Sequence, residues 1–221
     1  MALTKITGEG LGSLGTGNLT HGSDSGDTRF SLNSANQYTL VLKNAGNIAG
    51  QIGGSGSDVL RFSNAAGATI MEMNAGQITK PLQPAFLARP SARQANLAIN
   101  TTHTVVFDTE IFDQNADFSS NTFTAPVTGK YQLNVHLLIQ EMDADTDFYY
   151  INLKTSNRIY DQYWDNNDKA GDNGNGEGRS VVVLADMDAG DTAYLEINVP
   201  NSGAAQMDVE TASAFSGYLV A

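Results

Sequence analysis

Residues 84–221 contain short runs in which apolar side chains alternate with polar ones at a period of two, as in half-buried β-strands. Val135, Leu137 and Ile139, for example, occupy every second position of one run. No stretch of the chain shows the periodicity and the capping residues that predict a helix. The pattern therefore predicts an all-β domain with about eight strands. These predicted strands are Ala85–Ala88, Thr104–Phe107, Gly129–Gln140, Phe148–Ser156, Arg158–Trp164, Ser180–Leu184, Ala193–Val199 and Phe215–Val220.

A second strand pattern occurs twice in the preceding segment, residues 28–80. Thr39–Ile48 reads TLVLKNAGNI and Thr69–Ile78 reads TIMEMNAGQI, with the threonine, Asn-Ala-Gly and the last isoleucine in common. Each unit predicts three strands joined by turns that contain Asn and Gly, which supply the positive φ of tight hairpins. The predicted turns are Ser34–Gln37, Asn44–Asn47, Asn64–Gly67 and Asn74–Gly76. Two units hold too few apolar residues to close a core. We therefore expect either a flexible linker or, with three chains around one axis, a short trimeric, intertwined β-repeat stalk.

Residues 1–27 are rich in Gly, Ser and Thr and have almost no large side chains after Leu19. Gly10–Gly15 fits a GxGxxG pattern, but it has no predicted strand before it and no predicted helix after it, so a dinucleotide site is not expected. We interpret residues 1–27 as a flexible N-terminal attachment arm that orders on a partner, or as a disordered segment. Because 14 of the 22 glycines precede residue 81, we place the boundary of a head domain, residues 81–221, at that point.

Charge separates the two parts as well. The formal net charge of -12 comes entirely from residues 81–221, because residues 1–80 hold five basic and five acidic side chains. Such an acidic chain lacks the basic surface that binding to nucleic acid requires. The absence of cysteine excludes disulfide scaffolds, zinc–thiolate centres, iron–sulfur clusters and thiol nucleophiles. No run approaches the roughly 18 apolar residues of a membrane span, so membrane insertion is not expected. The first residues, MALTKITGEGLG, do not predict a signal peptide.

Several head segments carry a family resemblance. The most specific is Phe123–Tyr131, which has the pattern Phe-x-Ala-Pro-x-x-Gly-x-Tyr; Ser180–Leu184 and Phe215–Leu219 agree in order along the chain. Together these segments resemble the globular head of complement C1q and its tumour-necrosis-factor (TNF) relatives. The resemblance implies a C1q/TNF-like jelly-roll sandwich that forms homotrimers and has its first strand beside its last. The motif residues that it assigns to core or trimer contacts are Phe86, Phe123, Pro126, Gly129, Tyr131, Phe215, Gly217 and Tyr218.

The segment before the head resembles the modules of phage tail fibres, and it has no collagen-like Gly-x-y repeat. The matching pieces are Val59–Asn64, Gly76–Thr79 and the junction Ile78–Phe86. The resemblance implies a virion structural protein, a tail fibre or spike that attaches to other virion proteins through residues 1–27 and contacts a glycan or protein on the host-cell surface. One alternative is a head or decoration fibre, or an adaptor, with a purely structural role in the virion. Another is a secreted bacterial adhesion module.

The polar segment Asp165–Arg179 and the aromatic residues before it form the candidate ligand site. Aromatic rings beside Asp and Asn can stack on sugars while the polar groups form hydrogen bonds with the sugar hydroxyls. Strand alternation places Tyr160 and Trp164 on one face and Tyr163 on the other, so Trp164 is a candidate for either core packing or recognition. The predicted ligand-binding residues are Tyr163, Trp164, Asp165, Asn166, Asn167 and Asp168.

Calcium is the one cofactor that the sequence suggests, and catalysis is not expected. Asp143, Asp145 and Asp147 form a D-x-D-x-D run, but the sixth and twelfth positions of an EF-hand loop would be Phe148 and Lys154. The run is either a solvated acidic loop or a calcium site that other loops or chains complete. The three histidines lack zinc spacing and the chain has no Gly-x-Ser-x-Gly elbow. Glycoside cleavage by a carboxylate pair is the remaining enzymatic alternative.

Overall fold

A computed structural model describes residues 37–44, 47–55, 59–142, 146, 148–165, 176–200 and 206–221. Across these residues the chain forms eighteen β-strands. They include no helix that is long and apolar enough to cross a membrane. The strands are β1 Gln37–Asn44, β2 Asn47–Ser55, β3 Val59–Ser63, β4 Thr69–Asn74, β5 Gln77–Thr79, β6 Ala85–Arg89, β7 Gln94–Ala98, β8 Thr102–Thr104, β9 Thr109–Gln114, β10 Phe118–Ser119, β11 Thr122–Thr124, β12 Gly129–Gln140, β13 Phe148–Thr155, β14 Ile159–Asp165, β15 Glu177–Met187, β16 Thr192–Asn198, β17 Gln206–Val209 and β18 Ala214–Leu219.

The first five strands form one antiparallel sheet, the stalk sheet, in the order β1-β2-β3-β4-β5. The predicted turns at Asn64–Gly67 and Asn74–Gly76 both occur. In the first, the carbonyl of Asn64 accepts the N–H of Gly67 at 3.0 Å. In the second, Gly76 adopts a φ of 80°, the left-handed conformation that a tight hairpin needs. Each strand pairs with the next one along the same chain, and β1 and β5 form the two edges of the sheet.

The other thirteen strands form a sandwich of two antiparallel sheets. Sheet I has the order β7-β17-β12-β18-β6-β9, and β15 pairs along the other edge of β12. Sheet II has the order β10-β11-β16-β13-β14, with β8 beside β16. Strand β6 lies beside β18 with Phe86 opposite Gly217, as the resemblance implies for the first and last strands. The chain therefore enters and leaves the head at the same end, which we call the proximal end.

The head has more strands than the sequence predicted, because β7, β9, β10, β11 and β17 were missed. The predicted strand Thr104–Phe107 is also wrong, since β8 ends at Thr104. Beyond that point a side chain takes the place of a strand partner: the N–H of Val106 donates to Gln94 Oε1 at 2.8 Å. The periodicity of residues 104–107 could not predict this acceptor, because Gln94 belongs to another segment of the chain.

A hydrophobic core fills the space between sheets I and II. Within it, Phe86 stacks on Phe118 and on Phe123, with 4.8 Å between ring centroids in each pair, and it meets Phe215 edge-on at 5.0 Å. These rings come from β6, β10, β11 and β18. Because burial of one phenylalanine side chain contributes about 1.5–3 kcal/mol, this cluster is a large part of what joins the first strand, the last strand and the β10–β11 hairpin.

Two motif glycines lie where a side chain does not fit. A Cβ atom at Gly217 would be 2.7 Å from Leu133 Cδ2 and 2.8 Å from Phe86 Cε1. A Cβ atom at Gly129 would be 2.7 Å from the carbonyl oxygen of Ala221. Gly217 therefore permits the close contact between β18 and the rings of the core, and Gly129 permits the approach of the C-terminal residues to β12.

Several strand ends meet at the distal end of the sandwich, opposite the stalk. Ile139, near the end of β12, is paired with Glu177 at the start of β15. Phe148, at the start of β13, is paired with Asp165 at the end of β14. The chain segments that carry the predicted calcium and ligand residues therefore leave the two sheets at the distal end.

Replacement of Gly217 by alanine should lower the free energy of unfolding by about 1–3 kcal/mol, because the added methyl group overpacks the core. Gly178→Ala is the matched control, since a Cβ atom there would be 3.5 Å from His136, an ordinary contact. We expect the control to change the free energy by less than about 0.5 kcal/mol. Urea unfolding at fixed protein concentration measures both, and equal losses in the two variants would contradict the packing explanation.

Candidate functional site

The outer face of sheet II carries an aromatic group near the distal end, which we call the outer aromatic cluster: Phe148, Tyr150 and Tyr163. These side chains point away from the core, because the alternate residues Tyr149 and Ile151 are buried. Tyr150 is directly opposite Tyr163 in the β13–β14 register. The closest ring centroids are 5.2 Å apart and the other two pairs are 5.6 Å apart. Tyr163 is 53% exposed, so the cluster presents an aromatic surface to solvent.

Polar side chains surround the outer aromatic cluster on the same face. Asp161 and Asp165 flank it on β14, and Asn152 and Asn198 flank it on β13 and β16. Asn198 Nδ2 donates to Thr102 Oγ1 at 2.8 Å. Within the described ranges, the Oδ1 atoms of Asn152 and Asn198 have no hydrogen-bond partner. An aromatic surface bordered by carboxylates can bind the C–H face of a sugar ring or an apolar side chain while it accepts hydrogen bonds from hydroxyl or amine groups.

Trp164 points to the other side of β14, into the sandwich. It is opposite Tyr149, packs on the core and lies beneath the guanidinium group of Arg179, which is 4.7 Å from the ring centroid. Arg179 forms an ion pair with the buried Glu177 and donates from Nε to the Tyr149 hydroxyl at 2.7 Å. Burial raises the pKa of the Tyr149 hydroxyl, and the charge of Arg179 partly offsets this effect. The geometry gives Trp164 a packing role and leaves Tyr163 as its exposed neighbour.

The other predicted site residues lie outside the described residues. They are Asn166, Asn167 and Asp168 of the ligand site and Asp143, Asp145 and Asp147 of the calcium site. In the part of the chain that the structure describes, no group of three or more His, Asp or Glu side chains is placed to hold a metal ion. Calcium binding by the acidic run therefore stays a prediction.

The motif residues of the family resemblance divide between the core and the surface. They are Phe86, Phe123, Tyr131 and Phe215 in the core, Gly129 and Gly217 at close contacts, and Pro126 and Tyr218 at the surface. Tyr131 also donates from its hydroxyl to the Val127 carbonyl at 2.7 Å, which ties the start of β12 to the preceding turn. Tyr218 is 48% exposed and belongs to the outer face of sheet I.

The outer face of sheet I is rich in apolar side chains. The register aligns Leu184, Gln132, Tyr218 and Ala85 in one row and Val182, Asn134, Ser216, Leu87 and Phe112 in the next. We call the five large apolar residues the head apolar face: Leu87, Phe112, Val182, Leu184 and Tyr218. The last four are between 48% and 64% exposed. Gln132 and Asn134 on β12 lie between the apolar residues of β15 and those of β18 and β6. Several large apolar side chains exposed on one face are typical of a surface that contacts another protein.

Four residues of this site were not predicted from the sequence: Phe148, Tyr150, Asn152 and Asn198. Alternation within Phe148–Thr155 was the signal for the first three, because it places them on one face of a strand. That signal alone did not connect them to Tyr163 or to Asn198. The connection depends on the register of β13 with its two neighbours, which joins distant parts of the chain.

Comparison with known families establishes the class of protein. The C1q domain family matches residues 85–220, so the chain belongs to the C1q domain family. No curated protein matches it. Solved structures that resemble it include the globular domain of zebrafish complement 1qA protein, with 18% identity, a TM-score of 0.46, and coverage of 63% of this chain and 98% of that chain. Murine APRIL at pH 8.0 has 10% identity, a TM-score of 0.46, and coverage of 62% and 99%.

The opposite orientations of Trp164 and Tyr163 predict different effects on stability. Trp164→Ala removes a ring that packs on the core and on Arg179, so the free energy of unfolding should fall by about 3 kcal/mol. Tyr163→Ala should cost about 1 kcal/mol, since it removes aromatic contacts on an exposed face and leaves the core intact. Urea unfolding of both variants measures the difference. Similar losses would show that the two side chains are equally engaged in the core.

Proposed function

We propose that this chain is a homotrimeric attachment protein of a virion, a bacteriophage tail fibre or spike, whose head binds a glycan or a protein on the host-cell surface. It acts as a binding protein and not as an enzyme. The observation that carries the proposal is the contrast between the two outer faces of the head. Sheet I presents the head apolar face, whereas sheet II presents the outer aromatic cluster among carboxylate and amide groups.

Self-association through the head apolar face would remove its exposed side chains from water. Burial of apolar surface contributes about 25 cal/mol per Å², and three copies around one axis bury the face three times. The two rows that contain this face hold no charged side chain among the paired residues; Gln132 and Asn134 on β12 form a hydrogen bond with each other at 3.3 Å. Identical copies can therefore meet here without bringing like charges together, which supports the trimer that the family resemblance implies.

Sheet II is the face of the sandwich that such a trimer would leave in solvent. The outer aromatic cluster lies on this face, behind the core as seen from the head apolar face. Tyrosine is well suited to recognition, because it offers a large rigid surface and has few rotatable bonds to immobilise. Asp161 and Asp165 beside it can accept hydrogen bonds from the hydroxyl groups of a glycan or the amino groups of a protein. These features support host-surface contact through sheet II.

The order of the parts along the chain supports the fibre role. The stalk sheet ends at Thr79, and β6 enters the head at its proximal end six residues later, at Ala85. The outer aromatic cluster lies near the distal end, away from this entry. A fibre that attaches to the particle through residues 1–27 would therefore direct the cluster away from the particle.

The proposed trimer predicts a specific effect of charge on the head apolar face. The wild-type chain should have the mass of a trimer in size-exclusion chromatography with light scattering, and Leu184→Asp should shift it to monomer, because three buried carboxylates cannot be paired. Ile159→Asp is the control, since Ile159 has a similar exposure of 52% on the outer face of sheet II. It should remain trimeric. A monomeric wild-type chain would overturn the proposal.

The proposed host contact predicts that Tyr163 is a hot spot. Binding of the full chain to arrayed bacterial capsular polysaccharides and lipopolysaccharides, and to intact bacterial cells, should be at least about thirtyfold weaker for Tyr163→Ala than for wild type. Val127→Ala, which alters an exposed apolar side chain at the proximal end, should bind like wild type. Binding that is equal in the two variants would move recognition away from the cluster. No binding by the wild type would favour a purely structural role in the virion.

A further inference from the structure

One face of the stalk sheet is apolar across all five strands. Leu40, Ile52, Phe62 and Met71 are directly opposite one another on β1 to β4, and Met73 is opposite Ile78 on β4 and β5. We call these six residues the stalk apolar face. On the opposite face, Arg61 pairs with Glu72 at 2.6 Å, and Thr79 is the next residue in that row. The stalk sheet is therefore amphipathic, with its charged pair on one side.

Nothing in the described chain covers the stalk apolar face. Every hydrophobic side chain that is buried in the described ranges lies at or beyond Phe86, so the stalk sheet contributes none. Leu40 is 45% exposed and Ile78 is 62% exposed. An uncovered apolar face is unfavourable in water, because a sheet gains stability when it buries that face against another layer. The stalk sheet needs a partner on this face.

The stalk apolar face and the head apolar face border the same groove at the junction. A groove of about 430 Å³ is lined by Ile78 of the stalk apolar face and Tyr218 of the head apolar face, and by Lys80, Gln83, Pro84, Ala85 and Gln114. The connecting segment is held by hydrogen bonds: Gln114 Nε2 donates to the carbonyls of Lys80 at 3.0 Å and Gln83 at 2.7 Å. Asn115 Nδ2 donates to the carbonyl of Leu82 at 2.8 Å. Ile78 and Tyr218 thus bring one edge of each apolar face to the same groove.

We propose that two further copies of this chain cover the stalk apolar face. Three stalk sheets pack these faces around the axis of the head trimer and form a three-sided prism with the Arg61–Glu72 pairs outside. The strands do not exchange between chains, because β1 to β5 already pair in sequence within one chain, so the copies meet through side chains. This inference rests on the homotrimer of the proposed function and assigns a second surface to it.

Charge and connection favour copies of this chain over another partner. Residues 1–80 have equal numbers of basic and acidic side chains, so three stalks meet without the repulsion that the acidic head carries. No residue of the stalk apolar face is charged. The head trimer also holds three stalks close together at its proximal end. Each stalk apolar face therefore meets the other two at a high effective concentration.

Cross-linking of the full chain tests the arrangement directly, because the natural sequence has no cysteine. Ile78→Cys places a thiol on the stalk apolar face, and Thr79→Cys places one on the opposite face of the same strand. Treated with a short bismaleimide, Ile78→Cys should give covalent dimers on a denaturing gel, since one thiol per chain joins two of three copies. Thr79→Cys should not. Equal cross-linking of the two variants would overturn the prism. So would an Ile78→Cys variant that is trimeric by light scattering but forms no cross-link.

A second pair of variants gives an independent measurement. Phe62→Asp places a carboxylate in the stalk apolar face, and Gln51→Asp places one on the opposite face of the neighbouring strand. Limited proteolysis should cleave residues 37–79 about tenfold faster in Phe62→Asp than in wild type, because the buried carboxylate separates the stalk apolar faces and exposes the sheet. Gln51→Asp should be cleaved at the wild-type rate. Unchanged cleavage in Phe62→Asp would overturn the inference while the head trimer stands. A monomeric wild-type chain would instead remove the trimer, and the prism with it.

Discussion

The packing of Phe86 against Phe118, Phe123 and Phe215 is the interaction on which the rest of this structure depends. It joins the strand that enters the head, the strand that leaves it and the β10–β11 hairpin that begins sheet II. Gly217 makes the contact possible, since a side chain there would meet the Phe86 ring. Once these strands are fixed, the side chains that alternate with the buried ones must point to the outer face of each sheet. The cluster holds β6 and β18, which carry part of the head apolar face and the stalk junction, against the β10–β11 hairpin of sheet II. The outer aromatic cluster lies farther along the same sheet, on β13 and β14.

Much of this arrangement could be predicted from the sequence where alternation was strong. The predicted strand Gly129–Gln140 has the bounds of β12, and alternation separated Tyr163 from Trp164. Gln94–Ala98 was missed because it has no clear alternation; it is held as β7 by pairing with β17. The predicted strand Ser180–Leu184 fell short of β15, since Glu177 and Arg179 are polar yet lie inside, where they satisfy each other and Tyr149. Cross-strand partners of this kind are not readable from local sequence.

The acidic character of the head is partly balanced by a few arginines at its surface. Arg93 contacts three carboxylates: Glu141 at 2.8 Å, Glu210 at 3.0 Å and the buried Asp208. Arg158 binds both oxygens of Asp186, at 2.8 Å and 2.7 Å, and this hydrogen bonding lowers the pKa of Asp186. These ion pairs neutralise part of the negative charge of the head, and they also tie neighbouring segments of the chain together.

The meeting of strand ends at the distal end has a consequence for how such a protein can diverge. Segments 143–147, 166–175 and 201–205 connect strands that end there, whereas the Phe86 cluster, the head apolar face and the stalk junction use other parts of the chain. Loop length and composition can change at little thermodynamic cost when the strands they connect keep their register. Selection can therefore change these three segments while the sandwich and its two outer faces stay the same, so related proteins can differ in these segments on an unchanged scaffold.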